Sequence, residues 1–160
     1  AVAERAGVHR TTVYRRWGNR ERLVVDALAS QGATEIPIPD TGTIQGDTEA
    51  IARMVSANLA SPLGRALAQG MVGHGDDQEI RRVTEEFWRT RFELTDVLVH
   101  RAVERRDLPE GTDPRLVVEM VVATVWFRSI VTRSAVDDAL VATVADVVIR
   151  GFSSEGPEPS

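Results

Sequence analysis

Apolar residues recur along this chain at steps of three, four and seven positions, the spacing that lines one face of an α-helix. Ile51, Met54, Val55 and Leu59 make one such stripe, and Leu63, Leu67 and Met71 a second. A third and longer one runs Ile80, Val83, Phe87, Leu94, Val97/Leu98 and Ala102. The stretch "RLVVEMVVATVWFRSIV" (115–131) is apolar almost all round. A helix of that kind must be buried on most sides, in a core or against a partner chain. Its β-branched residues also suit a strand, but its length and its Asp113-Pro114 start favour a helix.

Capping and breaking residues divide the pattern into elements. Ala1–Ala6 is a short amphipathic piece stopped by Gly7, and Arg10–Trp17 is a second, closed by Gly18. Asn19 as N-cap and Glu21 in the first turn open a third helix through Leu23, Val24, Ala27 and Leu28, ended by Gly32. Asp47 or Thr48 is expected to cap the stripe through Ile51, and Ser61-Pro62 to start the next helix. The long helix is expected from about Asp77 to Arg106, where "DLPEGTD" breaks it; Asp137 or Asp138 opens the last one.

The pattern therefore predicts an all-α protein. Residues 1–33 form a basic head, 34–47 a connecting segment, 48–152 a helical body, and 153–160 a frayed tail. The connector, "EIPIPDTGTIQGD", has two prolines and two glycines, yet its Ile36 and Ile38 are expected to pack down on a neighbour. The chain opens on Ala1 as though a helix were already in progress, so natural sequence is expected upstream.

Charge changes this picture more than composition does. The net charge of −5 is unevenly placed: residues 1–33 hold six arginines against three carboxylates, a net of +3. A basic end on an acidic body suggests that only this end meets a polyanion. All nineteen Lys and Arg residues are arginine, which suggests a GC-rich genome and weakens the case for any single arginine. There is no cysteine, no run of ~18–20 apolar residues such as a membrane span needs, and no signal-peptide pattern. A reducing cytoplasm is the expected location.

The head can be read chemically. Two short helices about a glycine-centred turn are the minimum of a helix-turn-helix. Gly7 supplies the positive φ, and Val8 is expected to bury itself between the helices. Val13 and Trp17, four apart, face inward, while Arg10, Thr11, Thr12, Arg15 and Arg16 face out. In a major groove arginines reach guanine edges, threonine methyls touch thymine methyls, and the Tyr14 hydroxyl suits a phosphate. Arg20 and Arg22 would add charge beside the DNA backbone. The alternative is a basic helical surface whose arginines are merely solvated, and spacing alone does not choose between them.

In "AERAGVHRTTVYRRWGNRERL" (3–23), Ala3, Glu4, Ala6, Gly7, Val8, Thr12, Val13, Tyr14, Trp17, Arg20, Glu21 and Leu23 stand in one fixed frame. That frame resembles the N-terminal signature of the tetracycline-repressor (TetR) family of bacterial transcriptional regulators. "PIPDTG" (37–42) and "FRSIVTR" (127–133) extend the resemblance to one C-terminal class of that family. The resemblance implies a helix-turn-helix DNA-binding head on a helical ligand-binding and dimerisation body, usually nine helices in all. It implies a homodimer through the last two helices, here within 113–152, and DNA contacts at Arg10, Thr11, Thr12, Tyr14, Arg15 and Arg20. His9 and Arg16 complete that candidate set. They depart from the family, which commonly has serine or another N-cap at the first position and histidine or tyrosine at the second. The family's first helix has no counterpart in this chain.

Phe87, Trp88, Phe92, Trp126 and Phe127, with Met54, Met71 and Met120, are the candidate lining of an apolar effector pocket, with ordinary core as the alternative. Arg128, inside a very apolar stretch, calls for a carboxylate such as Glu119 or Asp137 of either chain, or a ligand anion. "GMVGHGDD" (70–77) reads as a helix-end turn rather than a metal site. His100 on the long helix is expected to be partly exposed. There is no nucleophile elbow, no HExxH and no paired catalytic set, so neither an enzyme nor a cofactor is expected. The expected function is a ligand-responsive regulator, in this family most often a repressor. As a dimer it would bind a near-palindromic double-stranded DNA operator and answer to an unknown small-molecule effector. The alternative is a helical dimeric adaptor whose basic end meets an acidic protein.

Overall fold

The computed structural model describes residues 2–5, 7–18, 38–73 and 78–153, together with positions 23, 26, 27 and 30. Among the described residues the fold is all helical. The head contributes α1 (Val2–Arg5) and α2 (Arg10–Trp17). The body is α3 (Ile44–Ala60), α4 (Pro62–Gly73), α5 (Gln78–Glu104), α6 (Pro114–Trp126), a π-helical segment (Phe127–Thr132) and α7 (Asp138–Ser153). Of the expected third helix of the head, Leu23, Asp26, Ala27 and Ser30 are described, and all four are helical; its other residues, positions 74–77 of the expected helix-end turn, and the tail beyond Ser153 lie outside the described residues.

Most helix starts follow their caps. The Ser61 hydroxyl accepts from the Gly64 N–H at 3.0 Å just before Pro62 opens α4. Asp113 accepts from the Arg115 and Leu116 amides at 2.9 and 3.4 Å ahead of Pro114. Asp137 accepts from the Leu140 amide at 2.9 Å, so the last helix starts where its two candidate caps placed it. The exception is α3. Its cap is Thr43, whose hydroxyl accepts from the Gly46 N–H at 3.1 Å, rather than Asp47 or Thr48. The Thr48 hydroxyl instead donates to the Ile44 carbonyl at 2.8 Å within the helix. Asp47 is fully buried and turned back onto the connector, so part of the expected connecting segment is already the first turn of α3.

α3 is the central helix, packed against α4, α5, α6 and α7. The main core gathers Leu59 from α3, Leu98, Val99 and Ala102 from α5, Val117, Val121 and Val125 from α6, and Val141 and Val148 from α7. A smaller cluster joins Leu67 of α4 to Val83 of α5, with Met71 and Ala27 of the head packed on it. Ala27 therefore brings the basic end into contact with the body.

The long apolar stretch after Pro114 is helical as expected, but it does not stay α-helical. It widens at Phe127 into the π-helical segment and ends at Arg133 in the left-handed region, φ 55°. One face of α6 is buried through Val117, Val118, Val121, Val122 and Val125. The opposite edge, Leu116, Met120, Phe127 and Val131, remains exposed. Arg128 also departs from expectation. Its Nε donates to the Ala135 carbonyl at 3.0 Å, and Glu119 pairs instead with Arg115 at 2.7 Å. The wide turn brings this backbone carbonyl within reach of the guanidinium inside the same chain.

Candidate functional site

The head is a helical corner. Gly7 takes φ 64°, a conformation any side chain would strain, and the Val8 N–H closes the turn on the Ala3 carbonyl at 2.9 Å. Val8 itself is 42% exposed, against the expectation that it sits between the helices. Ala3 of α1 is buried where Val8 is not. His9 does serve as the N-cap of α2: its Nδ1 lies 3.5 Å from the Thr11 amide and 2.9 Å from the Thr11 hydroxyl. The departure from serine therefore leaves the cap in place, through an imidazole nitrogen instead of a hydroxyl.

No residue of α2 is buried. Arg10, Thr11, Thr12, Tyr14, Arg15 and Arg16 are all exposed, Tyr14 at 68%. Val13 and Trp17 form the half-buried inner side. The Trp17 indole N–H donates to Asp26 at 3.0 Å, and the Arg16 guanidinium stacks 5.0 Å from the Trp17 ring centroid. The Gly18 amide ends the helix on the Tyr14 carbonyl at 2.8 Å. Arg20 lies outside the described residues.

A second concavity lies in the body. A cavity of about 300 Å³ opens between α3, α4, α5 and α6. Six of the eight candidate pocket residues line it: Met54, Met71, Phe87, Trp88, Phe92 and Trp126. Trp88 stacks on Phe92 at 5.7 Å, meets Phe87 edge to face at 5.3 Å, and lies 5.8 Å from Trp126. Met120 and Phe127 do not line it. Both sit on the outer edge of α6 and its π-helical continuation, away from the face that carries Val118 and Val122 to the cavity wall.

Sequence reasoning missed the polar lining, Asn58, Arg91 and Thr95, and the contribution of Ile38 and Pro39. Arg91 and Thr95 share the face of Phe87, which is the signal that spacing offers for them: Arg91 is four residues from Phe87, and Thr95 four from Arg91. Burial pulls the Arg91 pKa down from its ordinary value. The Thr95 hydroxyl donates back to the Phe92 carbonyl at 2.8 Å. Ile38 does pack against the core, as expected, while Ile36 lies outside the described residues.

The connector is clasped where it meets this wall. Arg101 reaches the Pro39 carbonyl and the Asp40 carboxylate, both at 3.4 Å. Arg105 pairs with Asp47 and Asp107 at 3.2 Å each and with Asp40 at 3.7 Å. Asp47 in turn accepts from the Thr41 amide at 2.6 Å and the Thr41 hydroxyl at 2.8 Å. Asp107 caps the Ile44 amide at 3.1 Å. Desolvation lowers the Arg105 pKa, but hydrogen bonds to Asp107 and Asp47 outweigh it and raise the pKa above its ordinary value. Pro39, Asp40 and Thr41 of "PIPDTG" are thus a strap that ties the connector to the end of α5 and the residue after it.

Among the described residues no group of three His, Cys, Asp or Glu side chains could hold a metal ion, and His74 of "GMVGHGDD" lies outside them. His100 is exposed. No described helix is long and apolar enough to cross a membrane.

Residues 38–148 match the family model described as tetracyclin repressor-like, C-terminal domain. The chain belongs to the TetR family. Among curated relatives, the HTH-type transcriptional regulator AqdR of Rhodococcus erythropolis is 37% identical over 117 residues, 73% of this chain and 56% of that protein. The chain thus spans little more than half of AqdR. The uncharacterized HTH-type transcriptional regulator YdeS of Bacillus subtilis (strain 168) is 25% identical over 153 residues, 94% of this chain and 75% of that protein. A crystal structure of the TetR family transcription regulator SCO0332 superposes with a TM-score of 0.62 at 22% identity. It covers 94% of this chain and 84% of that one, and carries the fold alone.

Proposed function

We propose that this chain is the greater part of a ligand-responsive DNA-binding transcriptional regulator that works as a homodimer. The observation that carries this reading is α2. Six polar and aromatic side chains that suit a major groove stand exposed on one short helix, held by turns at Gly7 and Gly18. Arginine and threonine address base edges, and Tyr14, Arg10 and Arg15 address phosphates. Arg16 is committed in part to Trp17 and acts at the flank. The family is one of regulators, which favours this reading over an enzyme.

The outer apolar edge of α6 and its continuation, with Val147 of α7, supports a second copy packing there. A two-fold dimer would set two α2 helices about one DNA turn (~34–36 Å) apart on a near-palindromic operator. The effector would occupy the body cavity. Because Ile38 and Pro39 form part of its wall, and Met71 joins the cluster that receives Ala27, an occupant meets both routes by which the head is attached. A ligand that prefers one head spacing then shifts DNA affinity by its differential affinity for the two states. Repression is the expected sign of regulation.

The test is fluorescence anisotropy on the protein expressed from its whole natural reading frame, titrated against duplexes from its own upstream DNA and a scrambled duplex at two salt concentrations. A preference of about a thousandfold or more for one duplex supports the regulator. Equal, salt-sensitive binding to every duplex by a folded head would refute it and favour an acidic protein partner instead.

A further inference from the structure

Four aromatic side chains meet on the wall of the body cavity: Phe87, Trp88 and Phe92 of α5 and Trp126 of α6. Around Trp88 their planes differ. Phe92 lies 25° from it, Trp126 is tilted by 58°, and Phe87 stands edge-on at 85°. The wall thus combines ring faces and ring edges, the partners of a planar aromatic ligand in offset stacks and T-shaped pairs. A saturated ring of the same outline fills the same space without the quadrupole that makes these pairs favourable. Met54 of α3 and Met71 of α4 add flexible thioethers that follow an occupant's outline. A volume of about 300 Å³ is at the low end of small-molecule sites, which limits the occupant to a compact ring system.

The polar lining selects against charge. No carboxylate stands on the described wall, so a cation would be buried there without a counter-charge. Arg91 is already engaged within the chain, and its guanidinium carbon lies 5.1 Å from the centroid of Phe87. An anion would have to compete for it. The Thr95 hydroxyl proton is committed to the Phe92 carbonyl at 2.8 Å. A sugar or peptide would therefore bury more polar groups than this wall satisfies. Asn58 is different. It is exposed and yet part of the lining, so it sets a neutral amide, with donors and an acceptor, where the cavity meets solvent.

We propose that the cavity takes a compact, uncharged, planar aromatic molecule, its rings against Trp88, Phe92 and Trp126 and one neutral hydrogen-bonding group on Asn58. This rests on the proposed effector role of the same cavity and gives that effector a chemical class. The rings supply the affinity, and the single polar group fixes which end faces solvent.

The experiment titrates the full chain by calorimetry with naphthol and four relatives of similar outline: decahydronaphthol, naphthoate, naphthylmethylammonium and methylnaphthalene. Naphthol is expected to bind about tenfold or more tighter than either charged probe. It should bind about threefold to tenfold tighter than decahydronaphthol, its saturated counterpart. N58A should weaken naphthol by about threefold to tenfold and leave methylnaphthalene, which lacks the hydroxyl, unchanged. W88L should cut the preference for the planar ring to about twofold or less while decahydronaphthol still binds. F92L is carried beside W88L, with circular dichroism to show which variant is folded; if neither is, the ranking on the unaltered chain decides. A charged probe that matches naphthol, a saturated ring that matches it, a folded W88L or F92L that keeps the full planar preference, or no binding by any probe overturns the proposal. So does an N58A chain that binds naphthol undiminished. Sequence-specific DNA binding is read separately by anisotropy. A chain that ranks the probes as expected yet shows no operator preference keeps this inference and loses the regulator.

Discussion

Arg105 sets its guanidinium 3.2 Å from the carboxylate of Asp47, a side chain with no exposed surface, and so joins the end of α5 to the first turn of α3. Arg105 keeps 27% of its own side-chain surface exposed, so the ion pair is buried from one side only. What distinguishes it from an ordinary surface pair is that the other Asp47 oxygen is taken by Thr41. Removing the acid leaves both a cation and two connector donors without their acceptor.

Asp47→Ala is therefore expected to destabilise the body by about 2–4 kcal/mol, more than the ~0–1 kcal/mol of an exposed pair. Urea denaturation measures this. A loss below about 1 kcal/mol would show that Asp40 and Asp107 hold the strap without Asp47.

Tyr14→Phe removes one exposed hydroxyl and nothing from the core. If that hydroxyl meets a phosphate, operator and scrambled duplexes lose affinity alike, by about threefold to tenfold. A loss confined to the operator would instead place Tyr14 at a base edge.

Phe127→Glu and Val125→Glu are two residues apart and should behave differently. Val125 is 2% exposed in the core, so a carboxylate there unfolds the chain, a cost of several kcal/mol. Phe127 is 57% exposed, so a carboxylate there keeps the helical circular-dichroism spectrum and yields a monomer by sedimentation. A stable dimer of the Phe127→Glu chain would move the interface elsewhere.

Gly64 marks the tight corner of α3 and α4. A Cβ at this position would overlap the Asn58 backbone carbonyl, which no rotamer change relieves. Gly64→Ala should cost about 1–3 kcal/mol in thermal or urea unfolding. A neutral substitution would mean that the corner opens freely.

The helical body was largely legible because its punctuation is redundant. Ser61-Pro62, Asp113-Pro114 and Asp137 each combine a side-chain acceptor with a helix-compatible successor, and each starts a helix where it stands. Thr43 was missed in favour of Asp47 because both are good caps four residues apart, and only the distant Arg105 decides between them. The cavity's aromatic wall was legible from spacing on α5. Met120 and Phe127 were misplaced because an apolar segment does not declare which face is core and which is left for a neighbour. Arg91 was overlooked because, among nineteen arginines, a place four residues from Phe87 does not by itself separate it from those that are solvated.

The π-helical segment has a consequence for how this chain tolerates changes of length. Its hydrogen bonds reach one residue further than in an α-helix, with the Arg133 amide closing on the Arg128 carbonyl. Deleting Ser129 would let the turn tighten to ordinary α geometry, in which one residue fewer sweeps nearly the same angle, so later residues would keep their face. Val131 would then stay near the line of Leu116, Met120 and Phe127. Such a deletion should keep both helicity and the self-association proposed for that edge, and a deletion chain that sediments as a monomer would contradict it. A residue removed from the α-helical part of α6 would instead turn everything after it by about 100°. The wide turn therefore holds a residue to spare, and phase, rather than hydrophobicity, is what this stretch has to preserve.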